Sequence, residues 1–161
     1  MKPTLLILLL LVQLTALPSW AVTSSSPNMS EVTLLSAGGT AFTADQIGKD
    51  RMVLLILISK GNPGGIKMLD FLAGLEPQFP ADRLLVVVGG ADERVFKAIS
   101  GKHPKLAANW YRDPEGALAK KLKLSVTPAV MGVRDATVAW NLFGLADEEL
   151  LEKTMRGWLN R

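Results

Sequence analysis

Two strand-length runs that are apolar at every residue constrain the fold of this chain most. Residues 52–58 read Met-Val-Leu-Leu-Ile-Leu-Ile, and residues 84–88 read Leu-Leu-Val-Val-Val. A strand with one face in solvent alternates apolar and polar residues, whereas a strand that helices cover on both faces is apolar throughout. The two runs therefore predict central strands of a sheet that has helices on each side.

Weaker patterns around these runs predict the remaining strands. Short strands are expected at 32–35 and 42–43, an extended piece at 110–112, and a hairpin of strands 129–133 and 137–143. Alternating βα units predict a parallel core, and the hairpin adds antiparallel strands at one side. The fold class predicted from pattern alone is α/β, with a mixed central sheet and helices on both faces.

Capping residues and apolar stripes predict four helices among these strands. The residues expected to cap or open the last three are Asp92, Asp113 followed by Pro114, and Asp147. Helical spacing places Ile66 in the buried stripe of the first helix and Leu150 in that of the last.

The first residues have the layout of a secretory signal peptide. Lys2 precedes a leucine-rich core at 5–12, and Ser19-Trp20-Ala21 offers the small residues that a signal peptidase reads. The alternative is a retained membrane anchor, but this core is much shorter than the roughly 20 apolar residues that span a bilayer. We therefore expect cleavage after residues 1–21, a flexible polar leader at 22–30 and one domain at 31–161. The protein is then exported, as a periplasmic or secreted protein.

The charge balance argues against a nucleic-acid partner. The 161 residues hold 18 Lys and Arg against 15 Asp and Glu, a net charge of +3, and the basic residues are scattered. Their densest cluster, Lys120, Lys121 and Lys123, is typical of a solvated helix end. The expected membrane contact is limited to the signal peptide before its removal.

The chain contains no cysteine, which removes several kinds of chemistry. A disulfide framework, a thiolate nucleophile and a cysteine-ligated zinc site are excluded. The single histidine, His103, lies in a Gly-Lys-His-Pro-Lys loop and is expected to be exposed. The carboxylates show neither metal-ligand nor paired acid–base spacing. We therefore expect no catalytic residue, no metal site and no cofactor.

The chain resembles the thioredoxin-like superfamily, and within it the exported TlpA/ResA or peroxiredoxin-like branch. Three segments carry the resemblance: residues 32–58 with a Gly48-Lys49 step into the central strand, residues 125–133 with Thr127-Pro128 before a strand, and residues 137–159 with Gly144. The resemblance covers nearly all of residues 31–160. It implies that the domain at 31–161 is a thioredoxin-like three-layer sandwich with a cis Thr127–Pro128 bond.

The chain departs from this family where redox-active members keep a Cys-x-Pro-Cys sequence. Gly61, Asn62, Pro63 and Gly64 occupy that position, so the proline stays and both sulfur positions are glycine. Thiol–disulfide exchange and thiol peroxidase chemistry both need a thiolate. With no cysteine elsewhere in the sequence, both activities are excluded for this polypeptide.

A binding function remains open at the relic loop, Gly61–Gly64, and at the proline loop, Thr127–Pro128. In the family, the proline loop pairs with substrate backbone as if adding a strand, and this capacity needs no sulfur. The alternative is that Pro128 is kept because the loop geometry requires it. Our leading hypothesis is a redox-inactive binding or assembly module whose partner is an extended peptide or a protein of the cell envelope.

Two other functions remain open. Backbone N–H groups of residues 61–65, at a helix N-terminus, offer a general site for an anion or a small anionic molecule. Beyond Ser59 and Lys60, no convergent Arg or Ser accompanies that loop in the sequence. The other possibility is a structural subunit of an envelope complex, which instability of the isolated chain would favour.

Overall fold

The two apolar runs form adjacent central strands in the computed structural model, which describes residues 27–145 and 147–161. β3 (Met52–Ser59) and β4 (Leu84–Gly89) pair in parallel, and residues 53–58 and 84–88 are all buried. Burial on both faces, as predicted, is confirmed, because helices lie on each side of these strands.

Five further strands complete a seven-stranded mixed sheet. They are β1 (Thr33–Ser36), β2 (Ala41–Thr43), β5 (Asn109–Asp113), β6 (Ala129–Arg134) and β7 (Thr137–Phe143). The order across the sheet is β2-β1-β5-β4-β3-β6-β7. β5 is parallel to β4, whereas β6 is antiparallel to both β3 and β7. Hence β7 forms one edge of the sheet.

Helices cover both faces of this sheet. They are α1 (Pro63–Gly74), α2 (Glu93–Lys102), α3 (Ala117–Lys121) and α4 (Glu148–Leu159). α1, α2 and α4 pack on one face, and α3 with a short 3₁₀ helix at Ala44–Ile47 packs on the other. The predicted α/β class with a mixed sheet between two helical layers is confirmed.

Two of the predicted helix starts are correct and one is wrong. The Asp92 carboxylate accepts from the Val95 N–H, and the Asp147 carboxylate accepts from the Leu150 N–H, each at 2.8 Å. Asp113 instead ends β5, and α3 begins four residues later. The buried Asp113 carboxylate still accepts from N–H groups of that helix, so it caps across an intervening turn.

Three side chains differ from their predicted burial. Ile66 is 36% exposed and Leu150 is 51% exposed, because neighbouring residues at 65, 68, 69 and 151, 155, 158 fill the inward faces of α1 and α4. A residue adjacent to an inward-facing one is rotated by about 100° around the helix. The apolar stripes predicted for α1 and α4 are therefore wider than their buried faces. His103 is 6% exposed rather than solvated, because the end of α2 turns its ring toward Asp70 of α1.

The last part of the predicted leader is packed rather than free. The Met29 N–H donates to the Ala136 carbonyl oxygen (2.8 Å), and the Val138 N–H donates to the Pro27 carbonyl oxygen (2.9 Å). Met29 is 1% exposed against the β6–β7 hairpin. The predicted signal peptide and residues 22–26 lie outside the described residues. Within the described part, no helix is long and apolar enough to cross a membrane.

Candidate functional site

The relic loop begins α1 with a complete N-cap. Asn62 precedes the helix in an extended conformation, and its side-chain Oδ1 accepts from the Gly64 N–H at 2.9 Å. Pro63 follows at the first helical position, where its missing N–H costs nothing. The sequence therefore folds locally into a helix start without any cysteine.

The other end of the Asn62 amide holds the proline loop. Its Nδ2 donates to the Thr127 carbonyl oxygen at 2.7 Å and lies 3.1 Å from Thr127 Oγ1. The Thr127 hydroxyl in turn donates to Ser59 Oγ at 3.0 Å, at the end of β3. We call these three side chains, Ser59, Asn62 and Thr127, the Asn62 clamp. It is an uncharged network that joins β3, α1 and the loop before β6.

The two glycines at the sulfur positions have different surroundings. Gly61 has a φ of +75°, in the left-handed region that side chains disfavour. A Cβ built on Gly64 would lie 3.1 Å from Asn62 Oδ1 and 3.3 Å from Pro128 Cδ. Gly61 therefore adopts a backbone conformation that favours glycine, and Gly64 packs closely against Pro128.

The predicted site residues of the two loops come together in the structure. Gly64 of the relic loop lies against Pro128, and Asn62 bonds Thr127. The Thr127–Pro128 peptide bond is cis. The Gly144 N–H donates to the Pro128 carbonyl oxygen at 2.9 Å, which places the end of β7 beside the same loop.

Sequence reasoning missed two exposed apolar side chains, one in the proline loop and one on the strand that pairs with the start of β6. Val126 is 52% exposed, and Phe143, which pairs with Ala129 in the β6–β7 ladder, is 47% exposed. Among the described residues, no hydrogen bond uses the N–H of Thr127 or the backbone of Val126. The exposure of Val126 could have been predicted, because this apolar residue lies between Ser125 and Thr127 in a loop and belongs to no apolar stripe of a helix or strand.

The backbone N–H groups of residues 64 and 65 at the N-terminus of α1 are already hydrogen-bonded within the chain. Pro63 has no N–H, the Gly64 N–H bonds Asn62 Oδ1, and the Gly65 N–H bonds the Asn62 carbonyl oxygen at 3.0 Å. These are the donors on which an anion would depend. The geometry therefore disfavours the predicted alternative of an anion site at residues 61–65.

His103 forms a second buried polar site, away from the clamp. Its Nδ1 lies 3.5 Å from Asp70 Oδ1, and its Nε2 is buried without a hydrogen-bond partner among the described residues. In the same part of the chain, no three His, Asp or Glu side chains are close enough to hold a metal ion.

Comparison by sequence finds no relative of this chain. No sequence profile of a known protein family matches it, and no curated protein is significantly similar to it.

Comparison by structure does find similar proteins. A thiol:disulfide interchange protein, DsbE from Chlorobium tepidum, is 16% identical with a TM-score of 0.66, covering 83% of this chain and 96% of its own. A secreted Mycobacterium tuberculosis disulfide oxidoreductase homologous to E. coli DsbE is 13% identical with a TM-score of 0.64, covering 80% and 97%. StoA from Bacillus subtilis is 16% identical with a TM-score of 0.56, covering 76% and 93%.

At these identities the likeness shows the fold alone. The thioredoxin-like fold of the DsbE and StoA type, which the three sequence segments predicted, is confirmed. The chain carries this fold without a cysteine.

Proposed function

We propose that this chain is an exported thioredoxin-like domain without redox activity that binds an extended peptide or a protein segment beside Pro128. The observation that carries the proposal is that the Val126 backbone and the Thr127 N–H make no hydrogen bond among the described residues, in a loop that exposes the apolar side chain of Val126 and leads into Ala129, the ladder partner of the exposed Phe143. Unpaired N–H and C=O groups bind an added strand through main-chain hydrogen bonds, and neighbouring apolar side chains supply specificity.

The clamp explains how the loop keeps its shape in the absence of sulfur chemistry. Asn62 holds the Thr127 carbonyl oxygen, and Thr127 holds Ser59, so the proline loop has a fixed position relative to α1. A pre-organised loop loses less conformational entropy when a peptide binds. The same clamp occupies one lone pair of the Thr127 carbonyl, which leaves a peptide the Thr127 N–H and the Val126 backbone as its main partners.

Export is the second part of the proposal. It is supported by the signal-peptide layout of residues 1–21 and by the fold shared with a secreted oxidoreductase. The partner is then a peptide or protein of the cell envelope, for binding or for assembly.

Selection of binders from a displayed library of random linear peptides tests the binding site. Residues 22–161 contain every described element, so that segment serves as the bait. We expect selected peptides to be apolar at one or two positions and to lose at least tenfold in affinity on Val126→Glu, by fluorescence polarisation. The added carboxylate places a charge where an apolar side chain would dock.

Ala98→Glu is the matched control. Ala98 is exposed on α2, which packs near β5, three strands away from β6. The affinity of the Ala98→Glu variant for the same peptides is expected to stay within twofold of that of the unmodified chain. Failure to select any peptide, or equal losses in both variants, would contradict a binding site beside Pro128.

A further inference from the structure

The end of the sheet opposite the Asn62 clamp contains a cavity that four arginines line. The cavity has a volume of about 340 Å³ and lies where β3 and β4 begin and where β6 and α4 end. We call it the arginine cavity, after its charged lining residues Arg51, Arg83, Arg134, Arg161 and Asp50. These side chains together carry a net charge of +3 at neutral pH.

Ion pairs neutralise two of these arginines. Arg134 Nη2 lies 2.9 Å from Asp50 Oδ1, and Arg51 is paired with the Asp82 carboxylate. In the described part of the chain, Asp50 is the one acidic residue that lines the cavity, and it faces Arg134. The lining therefore supplies no carboxylate for the two arginines that remain.

These two, Arg83 and Arg161, make no ion pair within residues 27–145 and 147–161. Arg83 is half-buried and fixed in place, because its Nε donates to the Met52 carbonyl oxygen at 2.9 Å and its Nη1 donates to the Leu159 carbonyl oxygen at 2.8 Å. Three of its five N–H groups therefore remain for a ligand. The carbonyl end of α4 offers only about half a negative charge, so much of the Arg83 charge is uncompensated.

Arg161 brings a second uncompensated charge to the same cavity. Its guanidinium carbon lies 6.0 Å from the centroid of the Trp158 ring, at the end of α4. The side chain is exposed, so its N–H groups can turn toward a ligand. Two like charges at one cavity repel each other, and an anion between them converts this repulsion into attraction.

We propose that the arginine cavity binds a phosphate group between Arg83 and Arg161. A phosphate monoester carries a charge of about −1.5 to −2 at neutral pH, which matches two guanidinium groups without a carboxylate partner. A carboxylate has a single charge and would leave one arginine uncompensated. The planar guanidinium fork also binds two phosphate oxygens at once, and Arg83 is already held in position to do so.

The phosphate site is separate from the peptide site beside Pro128. β3 runs for eight residues, or about 26 Å, from the arginine cavity at Met52 to the clamp at Ser59. A ligand in the arginine cavity therefore leaves the proline loop accessible, and either site can exist without the other.

Titration of the ¹⁵N-labelled chain, residues 22–161, with inorganic phosphate tests the site. The side-chain Nε–Hε resonances of Arg83 and Arg161 are expected to shift, with half-saturation on the order of 1 mM because solvent screens an open cavity. Sodium chloride at equal ionic strength should shift them much less, since a single-charged ion cannot bridge both guanidinium groups. Equal shifts with chloride would overturn the proposal.

Arg161→Gln and Arg94→Gln form a matched pair of variants. Arg161→Gln leaves the backbone contacts of Arg83 intact and is expected to weaken phosphate binding at least tenfold. Arg94 is exposed in α2, beyond the far end of β4, and makes no ion pair in the described ranges. Its substitution removes the same charge and should change the affinity less than twofold. Equal effects of the two variants would overturn a site between Arg83 and Arg161.

Vesicles of phosphatidylcholine with about 20% phosphatidic acid distinguish a lipid headgroup from a soluble phosphate. Co-sedimentation that Arg161→Gln abolishes and Arg94→Gln leaves unchanged would support the site and assign it to a headgroup. Phosphate binding without co-sedimentation would support it and assign it to a soluble ligand. A chain that responds to neither probe would overturn the proposal.

Discussion

At the scale of single residues, Asn62 is the side chain on which the candidate site depends. One amide oxygen caps α1 through Gly64, and one amide nitrogen holds Thr127. An amide is suited to this because it accepts at one atom and donates at the other. A serine or an aspartate at this position would cap the helix but has no N–H with which to hold the proline loop.

Substitution of Asn62 separates these two roles. Asn62→Ala removes both and is expected to lower the free energy of unfolding by about 1–2 kcal/mol, measured by urea denaturation. Asn62→Asp keeps the cap, so it should cost less, but it places a carboxylate beside the Thr127 carbonyl oxygen. Amide exchange should therefore accelerate in both variants at Gly144, whose N–H donates to the Pro128 carbonyl oxygen, and at Gly64 in Asn62→Ala alone. Unchanged exchange at Gly144 in Asn62→Asp would show that the clamp does not hold the loop.

At the scale of elements, the β6–β7 hairpin depends on close contact between a glycine and a tryptophan. A Cβ built on Gly132 would lie 2.1 Å from Trp140 Nε1, so the indole rests directly on the Gly132 backbone. Trp140 also meets Trp158 of α4 edge-to-face, with ring centroids 6.1 Å apart. Trp158 donates from Nε1 to the Val53 carbonyl oxygen at 3.1 Å. The hairpin, α4 and β3 are thereby joined through two indole rings.

Gly132→Ala is expected to displace Trp140 and lower the free energy of unfolding by about 1–3 kcal/mol, as overpacking does. Denaturation followed by tryptophan fluorescence measures this change and should also show an altered emission maximum. Gly157→Ala is the control, because Gly157 lies within α4 with open space around its Cβ position. That variant should gain about 0.5–1 kcal/mol from helix propensity. Equal stabilities of the two variants would contradict the close contact.

Sequence patterns predict elements better than they predict side-chain environments. The runs at 52–58 and 84–88 are informative because burial on both faces leaves no position for a polar residue. The apolar stripes of α1 and α4 are less so, and Ile66 and Leu150 show that a stripe fixes a helix's face only to within about one residue. His103 looked exposed because its loop is polar and basic, and its burial depends on Asp70 in another helix.

The candidate site was predictable in its position but not in its contacts. Gly61–Gly64 and Thr127–Pro128 were identified from a resemblance, and the structure brings them together. The bond between Asn62 and Thr127 joins residues 65 positions apart, and no local pattern encodes it. The exposure of Phe143 was likewise hidden, because strand periodicity does not say which strand lies at an edge.

At the scale of the whole molecule, an ion pair ties the N-terminal segment to α3. Lys121 donates a hydrogen bond to the Glu31 carboxylate and, with its positive charge, holds the pKa of Glu31 below its ordinary value. A carboxylate with a lowered folded-state pKa stabilises the fold above its unfolded-state pKa, and this contribution fades as pH falls through the folded-state value. The pair is exposed, so its effect is small and sensitive to salt.

Glu31→Gln is therefore expected to lower the urea midpoint slightly at pH 7, and this difference from the unmodified chain should shrink at about pH 2.5 as Glu31 becomes protonated. Glu115→Gln serves as the control, because Glu115 makes no ion pair among the described residues. It should leave the midpoint nearly unchanged at both pH values. A Glu31→Gln difference that persists undiminished at about pH 2.5 would assign the effect to something other than this ion pair.

The packing of Met29 against the β6–β7 hairpin also has a consequence for the timing of folding. The segment around Met29 meets its partner, Ala136–Val138, only after the intervening residues 30–135 have been synthesised. Contacts between such distant residues form late, because a long loop must close first. The segment around Met29 therefore stays accessible until the β6–β7 hairpin has been synthesised.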